Sequence, residues 1–173
     1  MTPEQGWPPI VDRATWDDAR SVLLQQEKAL TRMKDAISAA RRRMPMVEVR
    51  SDYEFIGPEG PVTLLDLFSG RPQLIVQHFM FAPEWEEGCD GCSMMVEHIG
   101  PLSHLHARRT SFVLTSRAPL SRLRAFRTRM GWDLPWYSSQ GSDFNYDFGV
   151  TIDESRGFDQ YNYRSLDEYA AMG

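Results

Sequence analysis

At 173 residues the chain is the size of one domain with room for an appended element, and its 42% hydrophobic and 12% aromatic content supplies a core rather than a disordered polymer. A formal net charge of −5 gives no global attraction for nucleic acid, and no partner of that kind is expected. Two cysteines are too few for a disulfide scaffold, residues 1–10 lack the basic-then-apolar pattern of a secretory signal, and the longest apolar stretch, Leu74 to Ala82, is interrupted by Gln77 and His78; the expectation is a cytoplasmic protein that does not enter a membrane.

The first segment, residues 1–45, reads as a polar tail and one long amphipathic helix. Thr15 is placed to cap it, with Asp18 three residues on in capping-box position. Trp16, Ala19, Leu23, Gln26, Leu30, Met33, Ile37, Ala40 and Met44 then recur at alternating three- and four-residue steps, a seven-residue seam with a single polar member, and Pro45 is the expected stop. Between Ala19 and Arg43 there are seven basic residues against two acidic; between Gly131 and Gly173 there are eight acidic against two basic. A solvated face that complements the helix dipole explains the first excess. A docking helix, including one that pairs with a second copy into a homodimer, explains it too.

From residue 46 onward the pattern is that of a single α/β domain reaching residue 173. Val47, Val49, Tyr53 and Phe55 alternate with polar residues as a strand does, and Gly57-Pro58-Glu59-Gly60-Pro61 is a hairpin turn cluster. Leu64 to Phe68 is a short apolar run. Gln73 to Phe81 reads as a buried central strand ending in a Pro83 loop, followed by Gly88-Cys89-Asp90-Gly91-Cys92 opening a helix through Met94, Met95 and His98. Gly100-Pro101 breaks that helix, and a second helical stretch runs to about Arg109. Ser111 to Thr115 reads as a second buried strand. Pro119 starts a helix with Leu120, Leu123 and Phe126 on one face, closed by Gly131. Strand, helix, strand, helix implies α/β layers with a parallel pair.

Chemistry concentrates on Cys89 and Cys92. A CxxC between strand and helix places its first sulfur where unpaired backbone N–H groups and the helix dipole stabilise a thiolate, with the second one turn away and within disulfide reach. Cys89 is then the nucleophile and Cys92 the resolving thiol of disulfide exchange. Glu84, Glu86, Glu87 and Asp90 crowd the motif and oppose a thiolate, which argues for a moderate or reducing pair rather than a strong oxidant. Trp85 and Phe81 are placed to form an apolar lip or simply to pack in the core. His98, less than two turns past Cys92, is a candidate proton shuttle. Zinc is the rival chemistry, held by the two cysteines and two of His78, His98, His104 and His106. The absence of a second matching Cys pair and the close spacing of His104 and His106 count against it, so no metal and no other cofactor is expected. A non-enzymatic interaction module that keeps the cysteines is the other alternative.

The runs QQEKALTRMKDAISAARRRMPMVEV, DYEFIGPEGPVTLLDLF, LIVQHFMFAPEWEEGCDGCSMM, SRAPLSRLRAFRTRMGW and SSQGSDFNYDFGV strongly resemble the bacterial thioredoxin-like "domain of unknown function 899" family, whose members are often labelled predicted dithiol-disulfide oxidoreductases. The resemblance extends from about Trp16 to Tyr163. It implies a thioredoxin-like fold with an N-terminal helical extension and redox cysteines at Cys89 and Cys92, and it names no substrate. The block Gly141 to Gly149 is a signature of the family, and Asp143, Asn145 and Tyr146 within it are candidates for substrate contact or for support of the site. Similar proteins continue past Tyr161-Asn162-Tyr163 into further strands and a terminal helix, so this chain is expected to be C-terminally short.

Overall fold

The computed structural model describes residues 6–157, 160–161 and 163–172. The chain divides into two compact units, Met1–Glu48 and Val49–Gly173.

The first unit is built on one helix, α1, Arg13–Arg41. Its cap is Asp12 rather than Thr15: the Asp12 carboxylate accepts the Thr15 N–H at 2.8 Å, which puts Thr15 inside the first turn. The helix also stops before the proline. A proline ring clashes with the carbonyl four residues earlier and disfavours helical geometry in the residue before it, so α1 ends at Arg41, a turn short of Pro45. No residue of α1 is buried, and its apolar seam stands in the open, Leu30 at 52% and Met33 at 61% exposure.

The second unit opens with a hairpin of β1, Glu54–Gly57, and β2, Gly60–Thr63, closed by the Gly57–Gly60 pair around a two-residue loop. Val47 and Val49 join no strand and remain exposed, a departure from the alternation that suggested one. Thr63 caps the short α2, Leu64–Leu67, in a capping box with Asp66, and turns Leu64 and Leu67 inward. There follow β3 (Gln73–His78), α3 (Asp90–Glu97), α4 (Ser103–Ala107), β4 (Thr110–Ser116), α5 (Leu120–Met130, ended by Gly131 at φ 70°) and β5 (Trp136–Ser138). Beyond these lie α6 (Phe144–Asp147), a 3-10 turn at Glu154–Arg156, a small ladder of β6 (Gln160–Tyr161) with β7 (Arg164–Ser165), and α7 (Leu166–Ala170).

The main sheet runs β2-β1-β5-β4-β3, with β3, β4 and β5 parallel and β1 antiparallel to β5. The most deeply covered strand is β4, between β5 and the edge strand, buried at all seven positions. β3 is an edge strand, not the buried centre that its apolar run suggests, and Ile75 is 42% exposed. An apolar run marks a strand covered on its faces, but it does not say how many neighbours the strand has.

Side chains of β4 alternate between two cores. On one face Phe112 and Leu114 pack with Phe79, Phe81, Val96 of α3 and Leu123 and Phe126 of α5. On the other Val113 packs with Tyr53, Phe55, Leu67 of α2 and Phe144 of α6. Helices therefore cover both faces of a mixed sheet. The succession β3, cysteine-bearing helix, parallel β4, helix, parallel β5 is a thioredoxin-like α/β layout, and the second unit carries it.

Candidate functional site

Parallel strands of an open α/β sheet offer their carboxyl ends to chemistry, and at this end β3 runs directly into the cysteine segment. Pairing continues past the formal end of the β3–β4 ladder. The Phe79 N–H donates to the Thr115 carbonyl at 2.8 Å, and the Ala118 N–H donates to the Phe81 carbonyl at 2.8 Å. Gly88 then lies against the rings of Phe79 and Phe126, and a Cβ there would collide with Phe79. A side chain at 88 would push the Cys89 loop off the core, so the glycine is needed for close approach.

Cys89 is the N-cap of α3. Its Sγ accepts the Cys92 N–H at 3.4 Å, and its carbonyl takes both the N–H (2.9 Å) and the hydroxyl (3.0 Å) of Ser93. The sulfur thus occupies the place where capping oxygens usually sit and where the helix dipole favours negative charge. Both cysteines are free thiols and partly buried. The Met80 carbonyl accepts the Cys89 N–H at 3.0 Å, which ties the motif to the segment that follows β3. Burial pushes the Cys92 thiol above its ordinary value; the Met80 amide opposes that shift and the adjacent Cys89 adds to it.

The acidic residues around the motif are not equivalent. Glu87 is paired with Arg129 at 2.5 Å, and the guanidinium holds its carboxyl below the usual range, whereas Glu84, Glu86 and Asp90 are exposed. Trp85 is 42% exposed, and its carbonyl accepts a hydrogen bond from the Arg122 guanidinium of α5. Phe81 belongs to the core, so of the two aromatic residues near the motif only Trp85 is available at the surface. The His98 ring turns back on its own helix, where Nδ1 donates to the Met94 carbonyl at 2.6 Å. Among the described residues, no three of His, Cys, Asp and Glu gather as a metal site would require.

The Gly141–Gly149 block packs at the same carboxyl end of the sheet and divides by direction. Phe144 is buried among Tyr53, Phe55, His78 and Phe148, with ring centroids 4.5 to 5.2 Å away. Asn145 is buried beside it, and its side-chain oxygen accepts the Ser139 hydroxyl at 2.7 Å. Asp143 faces outward and takes Arg156 at 2.6 Å. Tyr146 lies under the Arg156 guanidinium at 4.1 Å, with Arg117 on its ring at 5.7 Å. Asp147 accepts the Tyr53 hydroxyl at 2.6 Å, which ties the block to the residue before β1; burial of the ring, reinforced by that bond, pushes the phenol up to about 12.

Sequence reasoning overlooked Ser116, Met80, Trp136 and Arg117. Met80 acts through its backbone, which no side-chain pattern reveals. The Ser116 hydroxyl donates to the Phe79 carbonyl at 2.7 Å, a bond that depends on the pairing of the β3 and β4 segments and so on tertiary structure.

A thioredoxin-like α/β unit with two free thiols at the head of a helix is the class that fold and site define. The family model described as "Bacterial protein of unknown function (DUF899)" matches residues 5–172, and the chain belongs to that family. No curated protein matches the sequence. Among solved structures, a candidate protein disulfide isomerase from Bacteroides thetaiotaomicron, determined in solution, is 22% identical with a TM-score of 0.42; the match covers 60% of this chain and 64% of that one. Among the described residues, no helix is long and apolar enough to cross a membrane.

Proposed function

We propose that the protein exchanges thiols for disulfides at Cys89 and Cys92, with Cys89 as the attacking sulfur. The observation that supports this most is the placing of Cys89: it caps the helix, and its Sγ receives the Cys92 N–H at the helix N-terminus at 3.4 Å. The Cys89 thiolate attacks one sulfur of a substrate disulfide and releases the first substrate thiolate, leaving a mixed disulfide. Cys92, losing its proton, attacks Cys89 Sγ; the internal disulfide forms and the second substrate thiolate leaves. The substrate gains two electrons and two protons, and an external dithiol restores the pair. A reducing compartment such as the cytoplasm suits this direction.

A redox titration of the Cys89–Cys92 pair tests the reading. The expected result is one two-electron transition, with turnover of a model disulfide abolished in Cys89→Ser. Failure of the pair to form a disulfide, or unchanged turnover in that variant, would reject it.

The exposed seam of α1 supports a second role, pairing with α1 of another copy. Asp12, Asp17 and Asp18 sit at one end of the helix and Arg41, Arg42 and Arg43 at the other. An antiparallel partner sets acidic end against basic end, whereas a parallel one would stack three arginines on three.

A further inference from the structure

Between the cysteine loop and α5 lies a cleft of about 320 Å³. Its walls are Glu86 on the loop side and Arg122, Ala125, Phe126 and Arg129 on the helix side, the last four spaced three and four residues apart along one stripe of α5. Phe126 forms the apolar floor and also packs against Gly88, the residue before Cys89, so the cleft and the start of the dithiol motif share one ring. Two links fasten the loop to the helix there: Arg122 donates to the Trp85 carbonyl, and Arg129 pairs with Glu87 at 2.5 Å. The charges lining the cleft are not all compensated. Arg129 and Glu87 neutralise each other. Arg122 gives an N–H to a neutral carbonyl and keeps its charge and its remaining donors. Glu86 is exposed and makes no hydrogen bond or ion pair among the described residues. One uncompensated anion from the loop and one uncompensated cation from the helix therefore flank an apolar floor.

We propose that this cleft binds an α-amino acid group, an ammonium and a carboxylate on one carbon, at the non-reacting end of the disulfide that Cys89 attacks: Glu86 takes the ammonium and Arg122 the carboxylate. A group with both charges gains from both walls, whereas a plain carboxylate meets Glu86 as a like charge and a plain amine meets Arg122 as one. The planar guanidinium matches a carboxylate in geometry as well as in sign. Size agrees: small-molecule sites run from roughly 300 to 1,000 Å³, and a cleft near the lower limit fits one end of a small disulfide rather than a folded partner. The substrate class is then amino-acid or short-peptide disulfides. Their common end group lies beside the sulfur, as in cystine, or one peptide residue away, as in oxidised glutathione. The inference rests on the dithiol reading, because it names the substrate of that exchange.

The test is kcat/KM for small disulfides with different ends: L-cystine and oxidised glutathione (ammonium and carboxylate), cystamine (ammonium alone), dithiodipropionate (carboxylate alone) and hydroxyethyl disulfide (neither). Each value is divided by the rate of the same disulfide with dithiothreitol, which removes its intrinsic reactivity. Cystine and hydroxyethyl disulfide carry no net charge, so the overall field of the protein does not separate them. At least one of the two amino-acid disulfides is expected to exceed hydroxyethyl disulfide by about three- to tenfold, as suits two partly solvated charge contacts. Which of them gains tells whether the end group sits beside the sulfur or a residue away. Glu86→Gln should remove that advantage and favour dithiodipropionate; Arg122→Gln should remove it and favour cystamine. A loosened loop would not give these opposite responses. Arg124→Gln, on α5 but bonded to the Pro58 carbonyl outside the cleft, should keep the order of the series. Turnover with no preference for either amino-acid disulfide, or a preference that survives both Glu86→Gln and Arg122→Gln, overturns the proposal and leaves the dithiol reading in place. If no disulfide is turned over, hydroxyethyl disulfide included, the dithiol reading falls and the cleft assignment falls with it.

Discussion

His78 ends β3 with its ring stacked on Phe144 at 5.2 Å, Phe148 beyond it and the Thr115 hydroxyl near its Nδ1, and desolvation pushes it down to about 4 from an ordinary 6.5. The folded protein therefore keeps this imidazole neutral across a range in which the unfolded chain binds a proton. Its stabilising contribution is complete above 6.5 and drains away as pH falls from 6.5 toward 4, reaching on the order of 2–3 kcal/mol when part of the ring is allowed to stay solvated. Denaturant unfolding of the wild type and of His78→Phe across that range checks this: the wild type should lose stability relative to the variant as pH falls, and the two curves should run parallel above it. The residue scale also shows what a sequence can display. The two cysteines announce themselves because their spacing is local to the chain, whereas the need for Gly88 comes from the rings of Phe79 and Phe126 packed against it. His78 gives no such signal, since its neutrality comes from aromatic rings some seventy residues further along, brought in by folding.

Elements were legible where local chemistry settles them. The hairpin follows from its glycines, α5 from Pro119 and Gly131, and α3 from the strand before it and the glycines around Cys89. Where the choice lay between neighbouring possibilities, local signals failed. Asp12 and Thr15 are both good caps, and the one nearer the N-terminus took the role. Val47 and Val49 have the right alternation but no neighbouring strand to pair with. For α1, the long seam without a buried residue carries a prediction. If a second copy covers it, Leu23→Glu with Leu30→Glu should convert a dimer to a monomer in sedimentation. Reversing Arg41, Arg42 and Arg43 to Glu should weaken pairing, and adding Asp17→Lys and Asp18→Lys should restore it. A wild type that sediments as a monomer at all concentrations refutes the pairing.

At the scale of the molecule, the cores described belong to the second unit. Because α1 contributes no buried residue, a chain starting at Val49 should unfold cooperatively with a free energy within about 1 kcal/mol of the full protein's. A fragment that melts broadly or fails to fold would show that α1 supplies part of the core. Strand order was the least legible property: the parallel pair could be foreseen from strand-helix-strand succession, but nothing local placed β5 between β4 and the hairpin. That insertion matters while the chain is being made. The hairpin is among the first parts of the sheet to leave the ribosome, and Ile56 pairs there with Pro61, yet on its other side it has no partner until Ser138 emerges. For most of synthesis the β1 side of the hairpin is a sticky template in search of a strand, and a chaperone that shields it in that interval would decide yield without altering the stability of the finished protein.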